Sequence, residues 1–485
     1  MILSRFYARD MKSATTKRYP KIIQGGMGIA VSSWQLARQI SLAGELGVVS
    51  GTAIDSVIAR RLQDGDLSGD IRRALAHFPD KAIECEILKR YFSEGGRDET
   101  TPYIDLPKLT LKPTKMTADL LVAATFVEVW LAKEGHDGII GINLLEKIQL
   151  AIPAQIFGAI LAGVDYILMG AGIPAQIPKL IDELSQGNPV SMRVDIADTQ
   201  DKYTITFDPH AVLGTTPPFA RPRFLAIVSS HALVAYLNRD SETKPDGYVI
   251  ENHMAGGHNA PPRAKNSIDD RGESIYTELD TPNIEKIRSL GSPFWLAGGY
   301  GTPEKIEEAI KLGAQGVQVG SLFALAKESG FTDEIRTQLR RSLTLNTLQI
   351  MTDAAASPTG FPFKVAQLPH TLSGENLFAE RTKICDLGYL RQPFKRPTGG
   401  IGYRCPGEPD ASFEFKNGDL DASAGSKCLC NALMADIGLG QVRPDGRVEL
   451  PLVTIGSDLD GPSRMAKSHP FGWDALEAIK FLRQK

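Results

Sequence analysis

The stretch FWLAGGYGTPEKIEEAIKLGAQGVQVGS, residues 294–321, decides the fold. Phe294–Ala297 is a short apolar run ending in paired glycines, which reads as a buried strand giving way to a loop. Pro303–Leu312 carries a helical pattern, with Thr302 as its N-cap and Pro303 at the first helical position. Gly316–Val319 is a second apolar run, and it ends in Gly-Ser. Strand, helix, strand is one unit of a parallel sheet, because parallel neighbours need a crossover between them.

Outward from there the unit repeats. The runs Lys21–Gln24, Gly47–Ser50, Gly138–Asn143, Tyr166–Met169, Phe224–Val228 and Tyr248–Glu251 bring the total to eight. Helical patterns such as Ser33–Ala43 and Ile54–Gln63 lie between them. Eight strands with crossovers predict an α/β fold of the (β/α)8 TIM barrel type over residues 21–370. An open doubly wound sheet usually carries one glycine fingerprint loop, whereas here glycines follow most strands. Two stretches break the alternation. Residues 85–118, with SEGGRDETTP, read as a polar surface excursion. Residues 175–220 hold Val190–Ile196 and Tyr203–Phe207 joined by ADTQD, which predicts an inserted hairpin.

Past residue 340 the alternation stops. Residues 371–485 are rich in Gly, Pro and Cys, and only Asp474–Leu482 has clear helical character. They read as an appended C-terminal Cys-containing subdomain. Residues 1–20 are basic and lack an apolar h-region, so they read as an N-terminal extension and not a secretory signal.

Composition narrows the function classes. The 54 basic and 57 acidic residues leave a net charge of -3, so no basic balance argues for nucleic acid. With 42% hydrophobic and 23% charged residues the chain has an ordinary globular composition. No apolar run approaches the roughly 18 residues of a transmembrane helix, so a cytoplasmic enzyme acting on a small molecule is expected, with no membrane partner. The oligomeric state is not legible.

In a parallel barrel the functional face is built from the loops after the strands. Here those loops read GGMG after the first run, AGGH after the sixth, AGGYG after the seventh and VGS after the eighth. Glycine lets backbone N–H groups approach an anion without Cβ interference, and the loops after strands seven and eight commonly hold phosphate. Such turns also serve merely to let strand and helix pack closely, and phosphate alone names no ligand.

Five motifs in order go further. IIQGGMG, GINLL, AGGHN, AGGYGTPEKIEEAIKLGAQGVQVGS and LFALAKES resemble the nitronate monooxygenase (2-nitropropane dioxygenase-like) flavoprotein family from about residue 20 to 335. The trans-acting enoyl reductases of polyketide and polyunsaturated fatty acid synthases, which share that barrel, are nearer in length. The resemblance implies non-covalent FMN. It places Gly298, Gly299, Gly320 and Ser321 on the phosphate, Gly25, Gly26 and Met27 against the isoalloxazine with Gln24 nearby, and Asn143 on polar edges. Gly257 belongs to the same set.

His258 of AGGH is, by the resemblance, the base or substrate-positioning donor beside the flavin; a structural loop histidine is the alternative. Histidine titrates near neutrality when unperturbed, which suits proton exchange. Nitronate monooxygenases usually read AGGHxG, whereas here Asn259, Ala260, Pro261, Pro262 and Arg263 follow. The prolines stiffen the loop, and Arg263 is a candidate guanidinium for a substrate carboxylate or phosphate. His253 has no matching role and reads as a packing or surface residue.

Cys385, Cys405, Cys428 and Cys430 fall in a 46-residue window near the end of the chain. Four thiolates suit a zinc ion or a [4Fe–4S] cluster, although the spacing matches no standard run; buried thiols and redox disulfides are the alternatives. The leading expectation is an FMN-dependent oxidoreductase that oxidises a nitronate or similar carbanion with oxygen. The alternatives are a flavin-dependent enoyl reductase, an iron–sulfur flavoprotein, a phosphosugar isomerase or aldolase, and a flavin-less scaffold. No Schiff-base lysine ends strands three to eight, which disfavours the aldolase.

Overall fold

A computed structural model describes residues 19–265 and 267–484. Residues 1–18 of the expected N-terminal extension lie outside them. The strands are β1 (Ile22–Gln24), β2 (Gly47–Ser50), β3 (Ile140–Leu145), β4 (Tyr166–Gly170), β5 (Val190–Val194), β6 (Tyr203–Phe207), β7 (Arg223–Val228), β8 (Gly247–Glu251), β9 (Phe294–Ala297), β10 (Gly316–Val319), β11 (Ile350–Asp353), β12 (Phe363–Ala366), β13 (Gln392–Lys395) and β14 (Ile401–Arg404).

Eight of them form one parallel sheet in the order β1-β10-β9-β8-β7-β4-β3-β2. The sheet closes on itself. Leu46 N–H donates to the Ile22 carbonyl at 3.2 Å and Gln24 N–H donates to the Leu46 carbonyl at 3.0 Å, which joins β1 to the start of β2. Helices cover the outside, so the fold is a TIM-barrel-like α/β fold. Several of those helices start on side chains that accept an orphan N–H: Ser33 caps Trp34–Leu42, Asp80 caps Lys81–Tyr91 and Thr114 caps Lys115–Lys133. Thr302 sits at the expected N-cap of Pro303–Lys311, but its hydroxyl makes no capping bond.

The alternation of the strands separates two cores. Ile23, Val48, Leu168, Leu225, Val249 and Trp295 point into the barrel and pack on one another. Trp295 closes the N-terminal end, its indole N–H donating to the Pro20 carbonyl at 2.8 Å. The other face of each strand joins a larger cluster beneath the helices.

β5 and β6 pair antiparallel, as the inserted hairpin predicts. Residues 85–118 differ from expectation. Residues up to Tyr91 continue a helix, Tyr103 and Leu109 are buried, and residue 115 already begins the long helix Lys115–Lys133. Polarity in sequence hid these anchors, which are single apolar residues without periodicity.

The C-terminal segment is also richer in helix than expected. Besides Ala475–Leu482 it contains Glu375–Glu380, Asp410–Phe415, Leu420–Ser423, Leu429–Ala435 and Asp460–Ser468, all too short for a clear period. It is packed into the barrel's own outer core rather than only leaning on it: Leu452, Val453, Ile455, Trp473 and Ile479 belong to the same buried cluster. Trp473 is fully buried, and its indole N–H donates to the Leu322 carbonyl just past β10 at 3.0 Å. Trp473→Ala is expected to remove about 3–5 kcal/mol of unfolding free energy, the usual cost of emptying a large aromatic site. Urea unfolding reads this directly, and a loss under about 1 kcal/mol would mean that the segment packs loosely.

Candidate functional site

At the C-terminal ends of the barrel strands the inward positions change from apolar to polar. Asn143 pairs in register with Leu168, and both Gln318 and Glu251 pair with Ala297, so these three side chains form the uppermost layer of the interior. The Oδ1 atom of Asn143 and the Oε1 atom of Gln318 are buried without a hydrogen-bond partner. Buried polar atoms are normally paired, so two orphans in one layer call for an N–H or O–H from a ligand.

Above this layer lies a cavity of about 150 Å³, lined by the loops after β1, β8, β9 and β10 and by residues 454–458. Gly25, Gly26, Met27, Gly257, Gly298, Gly299, Gly320 and Ser321, all expected on the cofactor, line it. Asn143 lies just beneath: a Cβ on Gly26 would sit 2.1 Å from the Asn143 Cβ. Gly298 and Gly299 adopt φ of +78° and +88°, and a Cβ on Gly298 would sit 2.7 Å from the Asn252 carbonyl oxygen. Only glycine fits there. The backbone N–H groups of Gly299, Gly320 and Ser321 have no acceptor among the described residues. Together they present donors into one cavity, which suits an anion.

Gln24 is engaged within the protein. Its side chain is buried and fully used inside the protein: Oε1 accepts from Val48 N–H at 3.0 Å, and Nε2 donates to Ser32 Oγ at 2.8 Å and to the Gly25 carbonyl. It ties β1 to β2 and shapes the glycine loop, and no donor remains for a flavin.

A second cavity, about 260 Å³, adjoins the first. His258 lines it, in a loop that pairs with β12: Asn259 N–H donates to the Pro362 carbonyl and Lys364 N–H to the Gly257 carbonyl, both at 2.9 Å. His258 Nε2 lies 2.7 Å from Ser357 Oγ, and its ring stands edge-on to Phe363. Burial, with Lys147 adding, pushes His258 down to about 4. That shift favours a neutral imidazole at pH 7, a hydrogen-bonding group held by Ser357. His253 reaches the same cavity and stacks on Tyr276 with 4.6 Å between ring centres. Arg263 lies at the exposed rim, one guanidinium N–H bound to the Leu279 carbonyl at 2.8 Å.

Three groups were missed from sequence. Glu251 lines both cavities. Its signal was present, an acid two residues beyond inward Val249 in YVIE. Gln318, inside VQV, carries the same signal. Thr454, Ile455, Gly456 and Asp458 complete the glycine cavity from a segment with no local pattern. Thr454 Oγ1 accepts from Gly257 N–H and Ser321 Oγ accepts from Gly456 N–H, each at 2.8 Å, which fastens that segment to the barrel loops.

The four cysteines expected on a metal gather in the C-terminal segment. Cys405, Cys428 and Cys430 are buried and Cys385 is half-buried, and Cys385 and Cys405 share a hydrogen bond. Among the described residues no group of three or more His, Cys, Asp or Glu side chains is placed to hold a metal ion. Burial pushes Cys428 up to about 11 and raises Cys430, while Cys405 is raised most by the bond from Cys385. Cys385, by contrast, is lowered by its bond with Cys405. The zinc and [4Fe–4S] expectations thus find no ligand set among the described residues. No helix among the described residues is long and apolar enough to cross a membrane.

No protein-family model and no curated protein matches the chain. Solved structures similar to it include FabK from Thermotoga maritima, at 16% identity and a TM-score of 0.46 over 96% of this chain and 92% of that one. Another is a nitroalkane oxidase from Streptomyces ansochromogenes, at 14% identity and 0.45 over 97% and 96%. A third is the enoyl reductase domain of MlnA from the macrolactin biosynthesis cluster of Bacillus amyloliquefaciens, at 14% and 0.35 over 75% and 68%.

If His258 is held neutral, its imidazole resonances stay flat between about pH 6 and 8, where a free histidine titrates. Site-assigned NMR of the histidine ring nitrogens checks this, and a midpoint near 6.5 would contradict it.

Proposed function

We propose that the chain is an FMN-dependent oxidoreductase of the nitronate monooxygenase type, working on a small carbanion-like substrate with oxygen as the final acceptor. The observation that carries the reading is the glycine cavity. Its unpaired amides of Gly299, Gly320 and Ser321 suit a phosphate, and the orphan oxygens of Asn143 and Gln318 suit N–H or O–H groups of a flavin. Asp458, on the rim beside Gly299, adds an acceptor for hydroxyls of a ribityl chain. The ordered motifs that resemble the nitronate monooxygenase family support the same cofactor. When bound, flavin supplies the electron transfer.

The protein's own part is placement. The layer of Asn143 and Gln318 orients the ring system, and the second cavity receives the substrate beside it. His258, held by Ser357, offers a neutral hydrogen-bonding edge there, and Arg263 at the rim is the group for an acidic substrate tail. Pro261 and Pro262 stiffen the segment between them.

A second reading, reduction of an alkene conjugated to a carbonyl, is favoured by one observation. Burial pushes Glu251 up to about 8, so at neutral pH the wall between the cavities carries a protonated acid. A nitronate oxidation has no use for a proton donor there, and an alkene reduction does.

The protein is expected to purify with one non-covalent FMN. Gly320→Glu is expected to abolish it by directing a carboxylate at the anion site, and full flavin content in that variant would end the phosphate assignment. The two reactions separate under anaerobic conditions. Rapid bleaching of the flavin by NADPH favours the reductase; bleaching by propyl-2-nitronate alone favours the oxidation.

A further inference from the structure

We propose that Glu251 is the acid of this site: its carboxyl, on the wall shared by the two cavities, delivers a proton to a substrate bound on the His258 side. The proposal rests on the reductive reading above. Glu251 ends β8 and points inward, two residues past Val249, into the top layer of the barrel. It lines both the glycine cavity and the His258 cavity, so it stands where a cofactor in one meets a substrate in the other. Its carboxyl makes no hydrogen bond and no ion pair among the described residues, unlike Glu45, Glu128 and Glu449, whose carboxylates are bonded. An acid left without an internal partner on a cavity wall has its bonding capacity aimed at a ligand.

The neighbouring charges do not take over this role. On the His258 side the titratable groups are His253, His258, Arg263, Tyr276 and Asp280. His253 is lowered by burial and then by Lys364, and His258 is neutral, so neither holds a proton to give at pH 7 beyond its ring N–H. Tyr276 is raised far above neutrality by burial. Asp280 is engaged by the backbone of Arg263 and Thr277. On the glycine side Tyr300 is raised by burial, and Asp458 faces Gly299 on the rim. Burial alone raises Glu251, with no neighbouring charge opposing it. The two groups on the substrate cavity thus separate in role, Glu251 as acid and His258 as positioning residue.

The step balances as follows. A flavin held by the glycine cavity, reduced by a nicotinamide, would supply the hydride for the carbon β to the substrate carbonyl. The α carbon takes the proton from the Glu251 carboxyl. The C=C π bond becomes two C–H bonds, and the carboxylate regains its proton from solvent.

The test uses Glu251→Gln, which keeps size and shape. Infrared difference spectra of wild type against this variant should show the C=O stretch of a protonated carboxyl at pH 7, titrating away around the value of about 8. Between the ordinary carboxylate range and that value, the unfolded chain ionises Glu251 while the folded chain keeps the proton. Wild type therefore loses stability as pH rises through this window, and Glu251→Gln does not. The Tm of the variant relative to wild type should climb from pH 5 to pH 8 and then level off. With FMN bound, NADPH-dependent reduction of a crotonyl thioester should fall on the order of 10²–10⁴-fold in the variant, the usual span for a general acid, and lose its alkaline limb. An ionised Glu251 at pH 7 overturns the proposal and removes the observation that favours the reductive reading; unchanged turnover and pH profile in the variant overturn the proposal while the thioester reduction itself keeps the reductive reading standing. Wild-type protein that binds FMN yet leaves the thioester untouched overturns the reductive reading, and the proton delivery with it.

Discussion

The molecule depends on the closure of its barrel at β1. That strand has three residues, too few to secure a ring by ladder bonds alone. Side chains complete the seam. The Glu45 carboxylate accepts the N–H groups of Lys21 and Ile22 at 3.0 and 2.9 Å, and the Gln24 amide accepts from Val48 while donating into the glycine loop. Arg483, near the far end of the chain, donates to the other Glu45 oxygen at 2.8 Å. Closing the ring removes the sheet edges and points all eight strand ends at one rim.

Closure also sets the electrostatics. The barrel interior is filled from below by Ile23, Val48, Val249 and Trp295, so the polar layer above it has apolar support. In that setting ionised groups are penalised in either direction, which raises Glu251 and lowers His258. Two residues that would both be charged in water at pH 6 are both neutral here. A site of this kind neither repels a neutral substrate nor traps an anion deep inside. Arg263 and Asp458 stand at the rim, where solvent can share their charge.

Most of the fold was legible in sequence because a parallel strand buried on both faces is a continuous apolar run, and glycine pairs mark where each one ends. All eight barrel runs were located, and the hairpin β5–β6 followed from its alternation. The glycines of the cavity above the polar layer were legible for the same reason. What escaped has physical causes. Gln24 looked like a ligand contact because sequence cannot show that Val48, Ser32 and Gly25 already use its amide. Glu251 and Gln318 were hidden inside strands read for their apolar neighbours. Ser357, Thr454 and Asp458 come from segments whose place is set by long-range packing through Trp473 and β12, not by local pattern. The cysteines cluster in space as they do in sequence, but proximity alone does not arrange ligands.

The central claim is that the unpaired amides at Gly299, Gly320 and Ser321 hold a phosphate. Titrating flavin-free protein calorimetrically with FMN and with riboflavin isolates that group, because the two ligands differ only there. Several hydrogen bonds to a charged group, each worth roughly 1.5–3 kcal/mol, predict that FMN binds at least ~100-fold tighter than riboflavin. Equal affinity for the two would contradict the account.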